Sequence, residues 1–303
     1  MRTFLERYNA GERVEVWDDL TGLGDGVRHA LYFEDAAAVA TETMRRGRQN
    51  VETLIRRLEA VGYRFQDEVT SAEEELARLE RMNEMAATMK NRMAKGESPN
   101  PHAQSLLAAG FALSDKLSAM GAERKAKAAK AAAKKRKHPL EDKQVFHPPD
   151  KATPKQLAKL EKLAGGPVPV SMRAWYEMVG GVSLMGSHPL LNPNPPNENE
   201  LPDPLVMISL EEMLAMTEGE GEGDGVQVMV APDALHKADI SGDGYYLSLP
   251  DRGADFIFDD GIGATFVNYL RRVFAWGGFP GWEQANNPPR DLIAQLSDGL
   301  APV

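Results

Sequence analysis

Apolar residues recur at helical spacing early in the chain. Val51, Leu54, Ile55, Leu58 and Val61 fall on one face, and Gly62 ends the pattern, which predicts an amphipathic helix. A second predicted helix starts at Ser71, which with Glu74 has the form of a capping box, and runs through Leu76, Leu79, Met82, Met85, Met89 and Met93 to Gly96. After the turn-rich SPNP at 98–101, the period returns in Leu106, Leu107, Gly110, Phe111, Leu113, Ser114 and Leu117. A helical hairpin or bundle is therefore expected over 1–120. The methionine stripe reads as bundle core, the alternative being an adaptable binding surface.

From Pro139 the texture changes. Prolines and glycines become frequent, and short β-like runs occur at Leu205–Leu210, Val226–Val230, Tyr245–Leu249 and Asp255–Phe258, with predicted helices at 154–164, 171–179, 210–217 and 264–275. In the helix 171–179, Ser171 is the N-cap candidate, and Trp175, Met178 and Val179 share a face beside Tyr176. Gly180 and Gly181 can turn the chain sharply into the strand-like run Val182–Met185. The proline-rich 187–204 reads as a surface loop. These mixed short elements predict an α+β domain with an antiparallel-rich sheet flanked by helices, preceded by the all-α region.

Charge sharpens the division. Residues 1–137 carry 24 Lys+Arg and 21 Asp+Glu, net +3, whereas 138–303 carry 11 and 24, net −13, together the −10 of the whole chain. Within the first part, 121–137 holds eight basic residues and one acid. This Ala/Lys-rich stretch favours helix but has no apolar face to bury, so it reads as a solvated helix or a tether. Clustered Lys and Arg can contact phosphates, but no aromatic residue interleaves 124–137 and no base-reading motif accompanies it. Nucleic acid is therefore not the expected partner. No apolar run approaches the length of a membrane span, and the first residues lack a secretory h-region, so a cytoplasmic protein without membrane contact is expected.

Candidate chemistry is sparse. With no cysteine there is no thiolate nucleophile or ligand, and the six histidines (29, 102, 138, 147, 188, 236) show no close ligand pairing, so neither a catalytic residue nor a metal ligand is nominated. The glycine runs at 22–26 and 219–225 satisfy neither GxGxxG nor a P-loop, and no GxSxG elbow occurs. Asp239, Ser241, Asp243 and Gly244 match half of a calcium loop, whose twelfth position is Pro250 instead of Glu; the loop starting at Glu220 reaches Ala231 there. No cofactor is called for.

Four segments taken together, GGPVPVSMRAWYEMVGGVSLMGSHP, LPDPLVMISLEE, APDALHKADISGDGYYLSLPD and FVNYLRRVFAWGGFPGW, resemble in that order the SUKH superfamily of Smi/Knr type. The resemblance covers about residues 150–285, is fainter over the first 65, and leaves 66–137 as an insertion or separate module. Its signature positions here are Trp175, Tyr176, Gly180, Gly181, Trp276, Gly277, Gly278 and Trp282. The expected division is a helical domain over 1–120, a basic helix or linker over 121–150, and a SUKH-like α+β domain over 151–303.

The resemblance implies a non-catalytic protein-binding protein. Bacterial members resemble immunity proteins that neutralise polymorphic toxins of nuclease or deaminase type, and fungal relatives resemble regulatory scaffolds, for which the helical half would mediate oligomerisation or partner binding. The residues point the same way independently, because an acidic domain suits a basic protein partner, such as the toxin domain that the resemblance implies, by field complementarity. Candidate contacts are Glu220, Glu222, Asp224, Asp239, Asp243, Asp259 and Asp260, all in predicted turns.

Overall fold

A computed structural model describes residues 2–65, 145–193, 200–217, 225–238, 242–259 and 262–303. The N-terminal helices are α1 (Phe4–Asn9), α2 (Arg13–Gly22) and α3 (Phe33–Ala60). Thr3 and Glu6 close a capping box at the start of α1, satisfying two otherwise unpaired backbone N–H groups. The predicted apolar face of Val51, Leu54, Ile55 and Leu58 is buried in α3, and the stripe extends back to Ala36, Val39, Ala40 and Met44.

After β1 (Arg64–Phe65), the described chain resumes with β2 (Phe146–His147), α4 (Thr153–Leu163), α5 (Val170–Met178), β3 (Gly181–Ser183) and β4 (Gly186–Ser187). Then come β5 (Val206–Met207), α6 (Leu210–Thr217), β6 (Val226–Pro232), α7 (Ala234–Lys237) and β7 (Gly244–Leu249). The last elements are α8 (Phe266–Ala275), a short 3-10 turn at Pro280–Gln284, and α9 (Arg290–Ser297). The described residues thus form a mixed α+β unit with small antiparallel sheets: β1–β4, β2–β3–β5 and β6–β7. The Ile208 N–H donates to the Val230 carbonyl (3.0 Å), joining the β5 segment to β6.

Both ends of the chain build this unit, 1–66 with 144–303. The arrangement differs from a helical domain over 1–120 set apart from 151–303, and the reason is the length of the α3 stripe. An apolar face running from Ala36 to Leu58 must be covered, and α5 covers it. A β-carbon placed on Gly47 of α3 would stand 3.8 Å from the Trp175 ring, so the missing side chain lets the tryptophan lie against the helix. The expected linker over 121–150 also ends earlier, since Phe146 and His147 pair with Val182 and Gly181. The helices expected from Ser71 to Gly96 and over 106–117, and the basic run 121–137, lie outside the described residues.

Local corrections follow from packing. Pro169, not Ser171, holds the N-cap position of α5; Ser171 is inside the helix and fully buried, where its hydroxyl donates to the Asp255 carboxylate (2.6 Å). Of the run Leu205–Leu210, only Val206 and Met207 pair as strand, because Ser209 and Glu212 form a capping box that starts α6. The run Asp255–Phe258 is extended but contributes a single bridge, Ile257 to Thr265. Among the described residues, no helix is long and apolar enough to cross a membrane.

The two chain ends that flank 67–143 are anchored close together: Phe65 pairs with Gly186, and the Val145 carbonyl accepts from the Ser183 N–H, three residues away. A variant in which 67–143 is replaced by a short Gly/Ser linker is therefore expected to keep the fold, since shortening the loop to under about ten residues lowers its closure cost by about 2 kcal/mol. Calorimetry should show one cooperative transition; an unfolded product would mean that 67–143 supplies core.

Candidate functional site

Two surfaces gather functional side chains. The first is the outer face of the β6–β7 ribbon. Val226, Val228 and Val230 point inward with Tyr245, Leu247 and Leu249, so strand alternation turns Gln227, Met229, Tyr246 and Ser248 outward. Register places Gln227 opposite Ser248 and Met229 opposite Tyr246. The extended segment after Asp255 runs beside β7, its Asp259 N–H donating to the Tyr246 carbonyl (2.9 Å). Phe256 and Phe258 are buried there, which leaves Ile257, 63% exposed, and Asp259 on the outer side.

Two of the nominated carboxylates flank this face. Asp259 accepts from the Ser248 hydroxyl (2.7 Å), and Asp243 accepts from the Tyr246 hydroxyl (2.9 Å) and from the Gly244 N–H (2.9 Å). Both are exposed, and their local bonds fix the direction in which they present charge. The ribbon face therefore combines an isoleucine, a tyrosine and a methionine with carboxylates at either side. Glu220, Glu222, Asp224, Asp239 and Asp260 lie outside the described residues.

The aromatic and glycine signature positions do structural work. Trp175 is fully buried and its indole N–H donates to the Gly180 carbonyl (2.7 Å); the Tyr176 hydroxyl donates to the Ile208 carbonyl (3.0 Å). Gly180 has φ +91°, and a β-carbon there would stand 2.1 Å from the His147 carbonyl oxygen, so no other residue fits. Gly181 opens β3 opposite His147. Trp276, half-buried, caps α8, followed by Gly277 and Gly278, both at positive φ; the Gly278 carbonyl accepts from the Leu205 N–H (2.9 Å). The Trp282 indole N–H donates to the Leu191 carbonyl (3.0 Å).

The second surface is a half-open cleft of about 370 Å³ between β7, α8 and the Pro280–Gln284 turn. Its inner wall holds Asp203, Tyr245 and Tyr269; Arg272 and Gln284 stand nearer the mouth. Asp203 lies between two prolines with φ +51°, a backbone state that costs a residue with a side chain about 1–3 kcal/mol and tends to cluster at functional sites. Its carboxylate accepts from the Lys237 ammonium (2.6 Å), whose side chain is entirely buried and lies over the Tyr245 ring. The Tyr245 hydroxyl makes a long contact (3.5 Å) to the other carboxylate oxygen and also bonds with the Ala234 backbone. Burial, with the Asp203 charge next, pushes the Tyr245 phenol up, and burial pushes Tyr269 well up, so both stay protonated. The Tyr269 hydroxyl is buried without a hydrogen-bond partner among the described residues.

None of these cleft residues was nominated from sequence. They come from segments 34 positions apart in the case of Asp203 and Lys237, with no fixed spacing to recognise. The one available signal was a carboxylate inside the otherwise apolar LPDPLVMI. Among the described residues, no three His, Asp or Glu side chains gather as they would around a metal ion. Compared with protein-family models, with curated proteins and with solved structures, the chain matches none.

Proposed function

We propose that the protein works by binding a basic protein partner, without catalysis, in the manner of a cytoplasmic immunity protein that neutralises a toxin domain. The observation that carries the reading is the ribbon face, where Met229 and Tyr246 turn outward, Ile257 is exposed on the segment beside β7, and Asp243 and Asp259 add carboxylates. Apolar centres with charged rims are how non-obligate interfaces are built, the centre excluding water and the rim steering encounter. The net charge of −13 over 138–303 extends the same field beyond the face itself. The resemblance of 150–285 to SUKH proteins supports the same role and a SUKH-like arrangement of the sheet and its helices.

The test starts from the full chain, immobilised to capture partners for mass spectrometry, and continues with binding kinetics on a captured basic protein. The on-rate is expected to fall as salt is raised towards about 0.15 M, where the screening length is about 8 Å. Asp243→Asn with Asp259→Asn should lower the on-rate about tenfold at low salt, and Ile257→Lys should raise the off-rate. A partner that is bound equally by these variants, with no salt dependence, would place the contact elsewhere and defeat the reading.

A further inference from the structure

The cleft lined by Asp203, Tyr245 and Tyr269 lies on the inner side of β7, whereas the ribbon face is formed by the outward side chains of the same strand, and the protein-binding role leaves the cleft unused. Its charges are already matched. Lys237 pairs with Asp203 at 2.6 Å and Arg272 with Glu283 at 2.7 Å, and Glu200 at the rim is also engaged in a polar interaction. An ionic ligand would find no free counter-charge among the described lining residues and would have to break one of these pairs. What the wall does offer is hydrogen bonding without net charge. Tyr269 presents a buried hydroxyl with no partner among the described residues, Tyr245 a hydroxyl that meets Asp203 at long range and the Ala234 backbone, and Asp203 the oxygen that Lys237 does not take. Donors and acceptors therefore alternate within one wall, which suits ligand hydroxyls, since each can both give and accept.

Part of the remaining wall is small and apolar, with Leu201, Ala234, Ile262, Pro280 and Ala285 beside the polar Gln284. Such a surface accommodates the C–H face of a saturated ring. The volume, about 370 Å³, lies at the lower end of the range of small-molecule sites, about 300–1,000 Å³. We propose that this cleft binds a neutral, hydroxyl-rich ring compound of one or two sugar units, with Tyr269, Tyr245 and Asp203 as its hydrogen-bonding wall.

An unpartnered buried hydroxyl is a cost to the free protein, because it has given up water without replacement. Tyr269→Phe removes that cost and keeps the ring, so it separates a ligand contact from a packing role. The experiment is an NMR titration of the full chain with glucose, galactose, mannose, N-acetylglucosamine and inositol, and with glucose 6-phosphate and arginine amide as charged controls, into the tens of millimolar. At least one neutral compound should give saturable shifts at Ala234, Tyr245, Tyr269 and Gln284. Tyr269→Phe should weaken that binding about two- to tenfold, the worth of one neutral hydrogen bond, while its melting temperature stays at or above the parent's. Absence of saturable shifts with every neutral compound, binding by the charged controls alone, or unaltered affinity in Tyr269→Phe would each overturn the proposal. A fall in melting temperature for Tyr269→Phe would also overturn it, by showing that the hydroxyl is bonded within the fold.

Discussion

Trp175→Ala is expected to lower the stability of the folded unit by about 3–5 kcal/mol, the range for emptying a buried aromatic site. The indole is fully buried between α3 and α8, edge-on to Phe266 with ring centroids 5.4 Å apart, and next to Gly47. Its removal also leaves the Gly180 carbonyl without the donor 2.7 Å away, at the residue where the chain turns from α5 into β3. The measurement is urea unfolding followed by circular dichroism. A variant that unfolds at the parent's midpoint would show that α3 and α5 are held together by something other than this contact.

The second large effect is expected at Asp255. This buried carboxylate accepts from the Ser171 hydroxyl (2.6 Å) and the Val267 N–H (3.0 Å), tying the first turn of α5 to the first turn of α8. Asp255→Ala leaves both donors buried and unpaired, at about 1–3 kcal/mol each. Asp255→Asn keeps an acceptor and should cost less. Burial pushes the Asp255 carboxyl up, and the bonds from Ser171, Val267 and Thr265 only partly pull it back. With its folded value above the unfolded one, the folded state binds the proton more readily. The parent should therefore gain stability relative to Asp255→Asn as pH falls through the folded value towards the ordinary carboxylate range near about 4, and show no further gain below it. Urea midpoints of the two proteins from neutral to acid pH check the sign; a relative loss for the parent on acidification would mean that its donors outweigh burial.

These two residues show how unevenly the structure could be read beforehand. Trp175 declared itself through helical spacing and the glycines after it, the apolar face of α3 was visible in the same way, and the helices α6 and α8 and the extended runs of β6 and β7 could be placed from the sequence. Period and turn chemistry are local, so they survive in the sequence. What α3 packs against is not local, and a stripe of leucines and valines serves equally well against another helix of its own region or against α5. Asp255 reads in sequence as the start of a β-like run and Ser171 as a cap, because nothing within a few positions of either marks the bond between them. The cleft was illegible for the same reason: Asp203, Lys237, Tyr245 and Tyr269 are ordinary residues until folding places them together. Of the nominated acidic contacts, Asp243 and Asp259 lie beside strands that define a face.

The route of the chain through the fold has a consequence for synthesis. Residues 33–60 leave the ribosome carrying an apolar surface whose cover, 170–178, is made more than a hundred residues later. At about 5–20 residues per second that interval is about 5–20 s. During it the nascent helix is a target for chaperones or for a neighbouring nascent chain. Translation speed through 67–143 thus sets how long the half-made domain stays exposed, and synonymous changes confined to that stretch could alter the yield of folded protein while leaving every atom of the finished product the same.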